Sequence, residues 1–337
     1  MPPSLKADDI YSADRPGNLS RAVTGDPPRV YVPNSKSNTV TVIDPATYQV
    51  IDHFRVGRLP QHVTPSYDLK TLWVLNDKSD SITKIDPVTG KLGATVRVSD
   101  PYNMYYTPDG KYAIVVAERR RRLDFRDPET MTLRHSLEVP CKGVDHMDFS
   151  ADGKYLIASC EFAGAVVKVD VQQQKLVGRL ALKPHGMPQD VKVSPDGSIF
   201  YVADMSANGV HLIDGENFTQ VGFMPTGKGA HGLYVSRDSR VLYVSNRGEG
   251  SISVIDFGTR KIVNRWRIPG RASPDMGGVS ADGKVLWLSG RYNSEVYAID
   301  TGDGRLLARI PVGREPHGLC FYPQPGRYSL GHTGVFR

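Results

Sequence analysis

Residues 229–270 read GAHGLYVSRDSRVLYVSNRGEGSISVIDFGTRKIVNRWRIPG, and the reading of this stretch decides the fold. It holds four short runs: AHGLYV (a), VLYVSN (b), SISVID (c) and KIVNRWRI (d). In each, apolar and polar residues alternate over a few positions between Gly, Ser, Asp or Asn, the pattern of an antiparallel strand. One such segment predicts one small four-stranded sheet.

The same segment recurs along the chain. Run b returns as RVYVPN at 29, TLWVLN at 71, YAIVVA at 112, YLIASC at 155, IFYVAD at 199, VLYVSN at 241 and VLWLSG at 285. Run c follows in step and ends each time on an aspartate: Asp44, Asp86, Asp127, Asp170, Asp214, Asp256 and Asp300. Such regular residues suit side-chain hydrogen bonds that close the c-to-d turn, and they repeat too evenly to form one active site. Run a also appears seven times, usually ahead of a turn such as Pro108-Asp109-Gly110. A repeat of roughly 42 residues with four strands is the mark of a β-propeller. The prediction is therefore an all-β, seven-bladed propeller with four antiparallel strands per blade.

The first strand met is b, at 29, and the last is a, at 316–321. The ring must then be closed by a C-terminal inner strand joining three N-terminal strands, and removal of residues 314–327 would open a sheet edge. The expected organisation is an N-terminal arm over 1–28, a propeller over 29–327 and a C-terminal tail over 328–337. The arm carries Pro2, Pro3, Pro16, Pro27 and Pro28 and no strand periodicity. The tail is expected on the face of the a-to-b turns, near the arm.

The motifs YVPN, YVAD and YVSN, followed by SVID and PHG or SPDG elements, resemble the YVTN-repeat β-propeller family over residues 29–327, among propellers of the WD and quinoprotein amine dehydrogenase kind. The resemblance implies the fold and leaves function open, since these propellers include binding modules, metal-dependent lactonases and lyases, and subunits of quinone-linked oxidoreductases. It also implies an extracytoplasmic protein, because many relatives are exported. The N-terminal segment itself lacks the apolar core of a secretory signal, and no apolar run is long enough to span a membrane.

Net charge is +6, pI is about 9.1 and mean hydropathy is −0.34, which suits a folded domain attracted to acidic partners. No aromatic-interleaved basic stripe points to nucleic acid. The Arg119–Arg122 run falls in a b-to-c connection and reads as a solvated loop. GxSxG, HExxH, phosphate-loop and dinucleotide motifs are absent from the sequence. Cys141, Cys160 and Cys320 form no CxxC pair and read as small buried thiols, at least one of them free.

Chemistry is expected where the strands a begin, at the mouth of the central channel. Aligning the copies puts one residue per blade there: His62, Asn103, His146, Asp190, His231, Asp275 and His317. Counting back through each hairpin sets His62 beside Asn76 and Asp77, His146 beside Cys160 and Glu161, His231 beside Asn246 and Arg247, and Asp275 beside Gly290 and Arg291. Three uses of the ring stand: hydrogen bonds between blades, direct ligand binding, and a divalent transition metal on His62, His146, His231 and His317. Arg247, Arg291, Asp275 and Asn103 are the candidate ligand-binding residues, with guanidinium forks suited to a carboxylate or phosphate. In an enzyme, Glu161 and Asp190 are the candidate catalytic groups. The expected partner is a small polar or anionic ligand, or another protein.

Overall fold

The computed structural model describes residues 2–332 and 336–337. Among these, 28 strands form seven four-stranded antiparallel sheets, each running a, b, c, d from the channel outward. The segment that decides the fold is one blade: Ala230–Val235, Val241–Asn246, Ser251–Asp256 and Lys261–Arg267. The ring closes as expected, with Cys320–Tyr322 pairing Arg29–Asn34 through Tyr31 opposite Cys320 and Arg29 opposite Tyr322. No helix of the described residues is long and apolar enough to cross a membrane.

The inner strands have no wet face, because neighbouring blades cover both sides of each sheet. Pro188–Val193 and Ile199–Asp204 are buried at every position, polar residues included. Each sheet packs on a blade at either side, so water reaches mainly the outer strands, as in the exposed Gln49–Arg55. Between blades the contacts are apolar: Val254 and Trp266 of one sheet pack with Leu286, Leu288 and Tyr297 of the next. Each such side chain contributes about 1.5–3 kcal/mol of burial.

The seven strand-end aspartates act as turn closers. Backbone N–H groups two or three residues on donate to Asp44, Asp86, Asp127, Asp170, Asp214, Asp256 and Asp300 at 2.7–3.2 Å. A second set of turns links a to b, where the hydroxyls of Ser66, Thr107, Ser150, Ser194, Ser236 and Ser280 donate to the aspartate two residues later.

Both chain ends converge on the a-to-b face. In the arm, Tyr11 donates to the Val193 carbonyl at 2.8 Å and Arg15 to that of Arg237 at 2.9 Å. The C-terminal segment meets the arm where Gly326 N–H donates to the Asn18 carbonyl, 3.2 Å. It then enters the channel beside Asn103–Tyr106: the Leu330 carbonyl accepts from Tyr106 at 2.9 Å, and His332 N–H donates to Met104, also 2.9 Å. Arg337 returns to the face and donates to the carbonyls of Ser150 and Phe149 at 3.0 and 2.8 Å. Residues 333–335, part of the expected tail, lie outside the described residues.

The cysteines correct the sequence reading. Cys141 and Cys160 form a disulfide with Cα atoms 5.9 Å apart, and only Cys320 is a buried free thiol. Spacing in the chain gave no sign of the pair, because the d-to-a loop and the end of strand b meet only once the blade has formed.

Candidate functional site at the channel mouth

The predicted ring exists, and its register has an unforeseen feature. In five blades the inner strand carries a one-residue bulge at its start, for example between Pro60 and Val63, Val144 and Met147, and Ala230 and Leu233. Pro60 rather than His62 therefore faces Asn76, and Val144 rather than His146 faces Cys160. The expected cross-hairpin neighbours are corrected by this shift. His62, His146, Asp190, His231 and Asp275 all sit in the bulges, and a bulge re-aims a side chain.

All seven ring residues are buried, each at most 2% exposed. Asp275 is the hub of one half. It accepts from Nδ1 of His317 at 2.8 Å and Nη1 of Arg247 at 3.1 Å; Nδ1 of His231 lies 3.0 Å from it but hydrogen-bonds to the Met276 sulfur at 3.1 Å, and Nε of Arg291 stands 3.9 Å away. Burial, reinforced by Arg247 at His231 and by Arg291 and Arg247 at His317, holds both imidazoles well below their ordinary pKa. Both are neutral; His317 donates to the carboxylate and His231 pairs with Met276 of the next blade. For these two histidines, hydrogen bonding between blades is what the structure shows.

The other half is different. His62 touches four aromatic rings: His317 at 4.8 Å between centroids, His332 at 5.2 Å, His146 at 5.4 Å and Tyr102 at 5.5 Å. Its two ring nitrogens are buried with no hydrogen-bond partner. Burial and the neighbouring imidazoles hold His62 well below its ordinary pKa, and burial with His332 lowers His146 to about 3. Asn103 Nδ2 lies 3.0 Å from Nδ1 of His146 and 2.9 Å from Nδ1 of His332. Its orientation is set by Oδ1, which accepts the Met104 N–H at 2.8 Å. His332 was invisible to the repeat alignment because the tail belongs to no blade.

Gly318 explains the PHG element. A Cβ there would lie 1.9 Å from Nδ1 of His62, so only glycine lets the closing strand pass that ring. The two inner strands hydrogen-bond here, with Val63 N–H donating to Gly318 at 3.0 Å and Gly318 N–H to Gln61 at 2.9 Å.

Asp190 is a brace. It accepts from the N–H groups of Leu233 and Val191, both at 2.9 Å, and stands 3.6 Å from Nε2 of His332. Burial pushes its pKa up, but the Lys192 ammonium and the imidazoles of His332 and His146 prevail and keep it ionised.

Tyr102 lies over the imidazoles, its hydroxyl 3.4 Å from Nε2 of His317. One arc of the mouth is acidic. Burial, then Glu161 and Glu118, pushes Asp145 well above the usual carboxylate range, and burial with Glu161 raises Glu118 to about 7. Burial raises Glu161 as well, against Gln189 and the arginines. Opposite stand Arg247, over the Tyr292 ring at 5.5 Å, and Arg291. Within the Arg119–Arg122 run, Arg119 bridges blades by pairing with Asp100 at 2.6 Å and Asp77 at 3.1 Å, while Arg120 and Arg121 are solvated.

Residues 18–325 match the model of a family described as a YNCE-like beta-propeller. The chain belongs to that family. No curated protein matches it in sequence. Among solved structures, this YNCE-like propeller is similar to hydrazine synthase of Kuenenia stuttgartiensis, with 20% identity, a TM-score of 0.71, and 86% of this chain and 96% of that one covered. The periplasmic gluconolactonase of Pseudomonas aeruginosa gives 20% identity, a TM-score of 0.72, and coverage of 88% and 99%. The dihydro-heme d1 dehydrogenase NirN gives 18%, 0.67, and 95% and 82%. At these identities the likeness is one of fold.

Proposed function

We propose that this propeller binds a small organic anion, a carboxylate or phosphate compound, at the channel mouth. The observation that carries the reading is Arg291. It is 16% exposed and its nearest carboxylates, Asp275 and Glu315, stand 3.9 and 4.0 Å away. Its Nη1 is buried with no hydrogen-bond partner. An unpaired buried donor is costly, and a guanidinium fork pairs best with a planar oxyanion. Arg247 adds positive field beside it, whereas its own Nη1 is already committed to Asp275. Across the mouth, Asp145, Glu118 and Glu161 are held toward their protonated forms and supply O–H donors to an oxygen-rich ligand.

One observation favours an enzymatic reading of the same mouth: Glu118, raised to about 7, is tuned to the range of a general acid or base. Glu161 lies beside it on the mouth and is the second candidate, whereas Asp190 is committed to backbone N–H groups below. The Cys141–Cys160 disulfide supports an extracytoplasmic setting, where such bonds persist.

The test is isothermal titration with citrate and with inorganic phosphate at low salt, with glucose as the uncharged control. At least one anion is expected to bind, Arg291→Ala to weaken it tenfold or more, and affinity to fall as pH rises past about 7 and Glu118 ionises. No heat from either anion at about 10 mM would sink the proposal.

A further inference from the structure

Beneath the mouth, three imidazoles from unrelated parts of the chain meet. His62 and His146 come from the inner strands of two blades, and His332 comes from the C-terminal segment. One ring nitrogen of each lies within 4.8 Å of those of the other two, and all three rings are fully buried. We infer that His62, His146 and His332 form a transition-metal site inside the channel, with the C-terminal segment supplying the third ligand. This does not rest on the anion site above it.

Four features carry the assignment. Both nitrogens of His62 are buried with no hydrogen-bond partner, a costly arrangement for a core residue and the natural one for a metal ligand. Nε2 of His146 stands 3.2 Å from Asp145 and Nε2 of His332 3.6 Å from Asp190, the carboxylate outer-shell support that metal-binding imidazoles receive, while the Asn103 amide that now reaches Nδ1 of both rings must give way to an ion bound there. All three rings are fully buried, away from water that would compete for the ion. The donor set is all nitrogen, which selects zinc, copper, nickel or cobalt over calcium or magnesium.

The geometry asks for a modest adjustment. A tetrahedral ion with bonds of about 2.0–2.1 Å holds its nitrogens about 3.4 Å apart. The rings must draw in from 4.8 Å, and His62, unrestrained by hydrogen bonds, can turn to do so. His317 is tied by Nδ1 to Asp275 and His231 by Nδ1 to Met276, and both stay outside this set, although the His317 ring lies 4.8 Å from that of His62. Asp190 offsets part of the added charge, against the buried ammonium of Lys192. A bound ion would tie the C-terminal segment to two inner strands and lock it in the channel.

The experiment uses tag-free full-length protein stripped with a chelator. Zinc and copper are titrated separately by calorimetry, bound metal is counted by elemental analysis, and the coordination is read by X-ray absorption. One equivalent per chain is expected, with imidazole nitrogens at about 2.0 Å. His332→Ala should lose that equivalent or bind about 100-fold more weakly. A His53→Ala/His135→Ala double variant, which changes only exposed histidines, should bind as the wild type does. The wild-type titration stands even where the His332 variant folds poorly by circular dichroism. Absence of stoichiometric zinc and copper in the wild type, or full binding by folded His332→Ala, would overturn the inference.

Discussion

Replacing Asp275 by alanine should be among the most damaging single changes in this protein. The carboxylate is fully buried and meets Arg247 at 3.1 Å, His231 at 3.0 Å and His317 at 2.8 Å. Asp275→Ala leaves a 9%-exposed guanidinium without its carboxylate and the His317 imidazole N–H without its acceptor. Removing one partner of a buried pair costs about 3–5 kcal/mol, because the surviving charge stays desolvated. For a chain of this size that corresponds to a fall of about 4–7 °C in the unfolding midpoint. Asp275→Asn keeps the shape and one acceptor, and should cost about 1.5–3 kcal/mol. Urea unfolding followed by circular dichroism, in chelator and at constant m, reads both values. Arg247→Met in the Asp275→Ala background should restore part of the loss, since the stranded charge is gone. An alanine variant within about 1 kcal/mol of the wild type would refute the view of Asp275 as the electrostatic hub of the ring.

Three further outcomes follow from the same structure. The imidazoles of His62, His146, His231, His317 and His332 are all held below their ordinary pKa, so below about 6.5 the unfolded chain takes up protons that the folded one refuses; chelated protein should lose stability as pH falls from about 6.5 toward 3, measured as midpoint against pH. Glu118 works in the opposite sense, because its folded pKa is raised from 4.5 to about 7, and Glu118→Gln should gain on the wild type between pH 5 and 8. Cys141→Ser/Cys160→Ser opens a loop spanning 19 residues and should cost about 3 kcal/mol, read as a lower urea midpoint under oxidising conditions and no difference from the wild type under reduction.

Much of this molecule was legible in its sequence, for a physical reason. Strand alternation, turn residues and repeat spacing are local properties, and seven copies in step leave a closed ring as the arrangement that covers every blade face. The alignment therefore places His62, Asn103, His146, Asp190, His231, Asp275 and His317 around one channel from sequence alone. It also assigned the seven strand-end aspartates to turns, as their hydrogen bonds show. The hairpin count failed by a residue or two: the bulges account for one, and in the bulge-free blade Asn103 faces Val116, one residue short of the count, because neither a bulge nor the exact turn register leaves a mark on the repeat length.

The chain by itself thus determined the architecture and which residues share the channel. Tertiary structure alone decided how they are used: Asp275 claims His317 and Met276 claims His231, while His62 and His146 are left to face His332. It also paired Cys141 with Cys160 and set Arg291 apart from its nearest carboxylates. These outcomes turn on distances of a few ångströms between blades and on where a non-repeating segment comes to rest. Periodicity carries the position of a strand; it carries no information about which neighbour a side chain reaches across the gap.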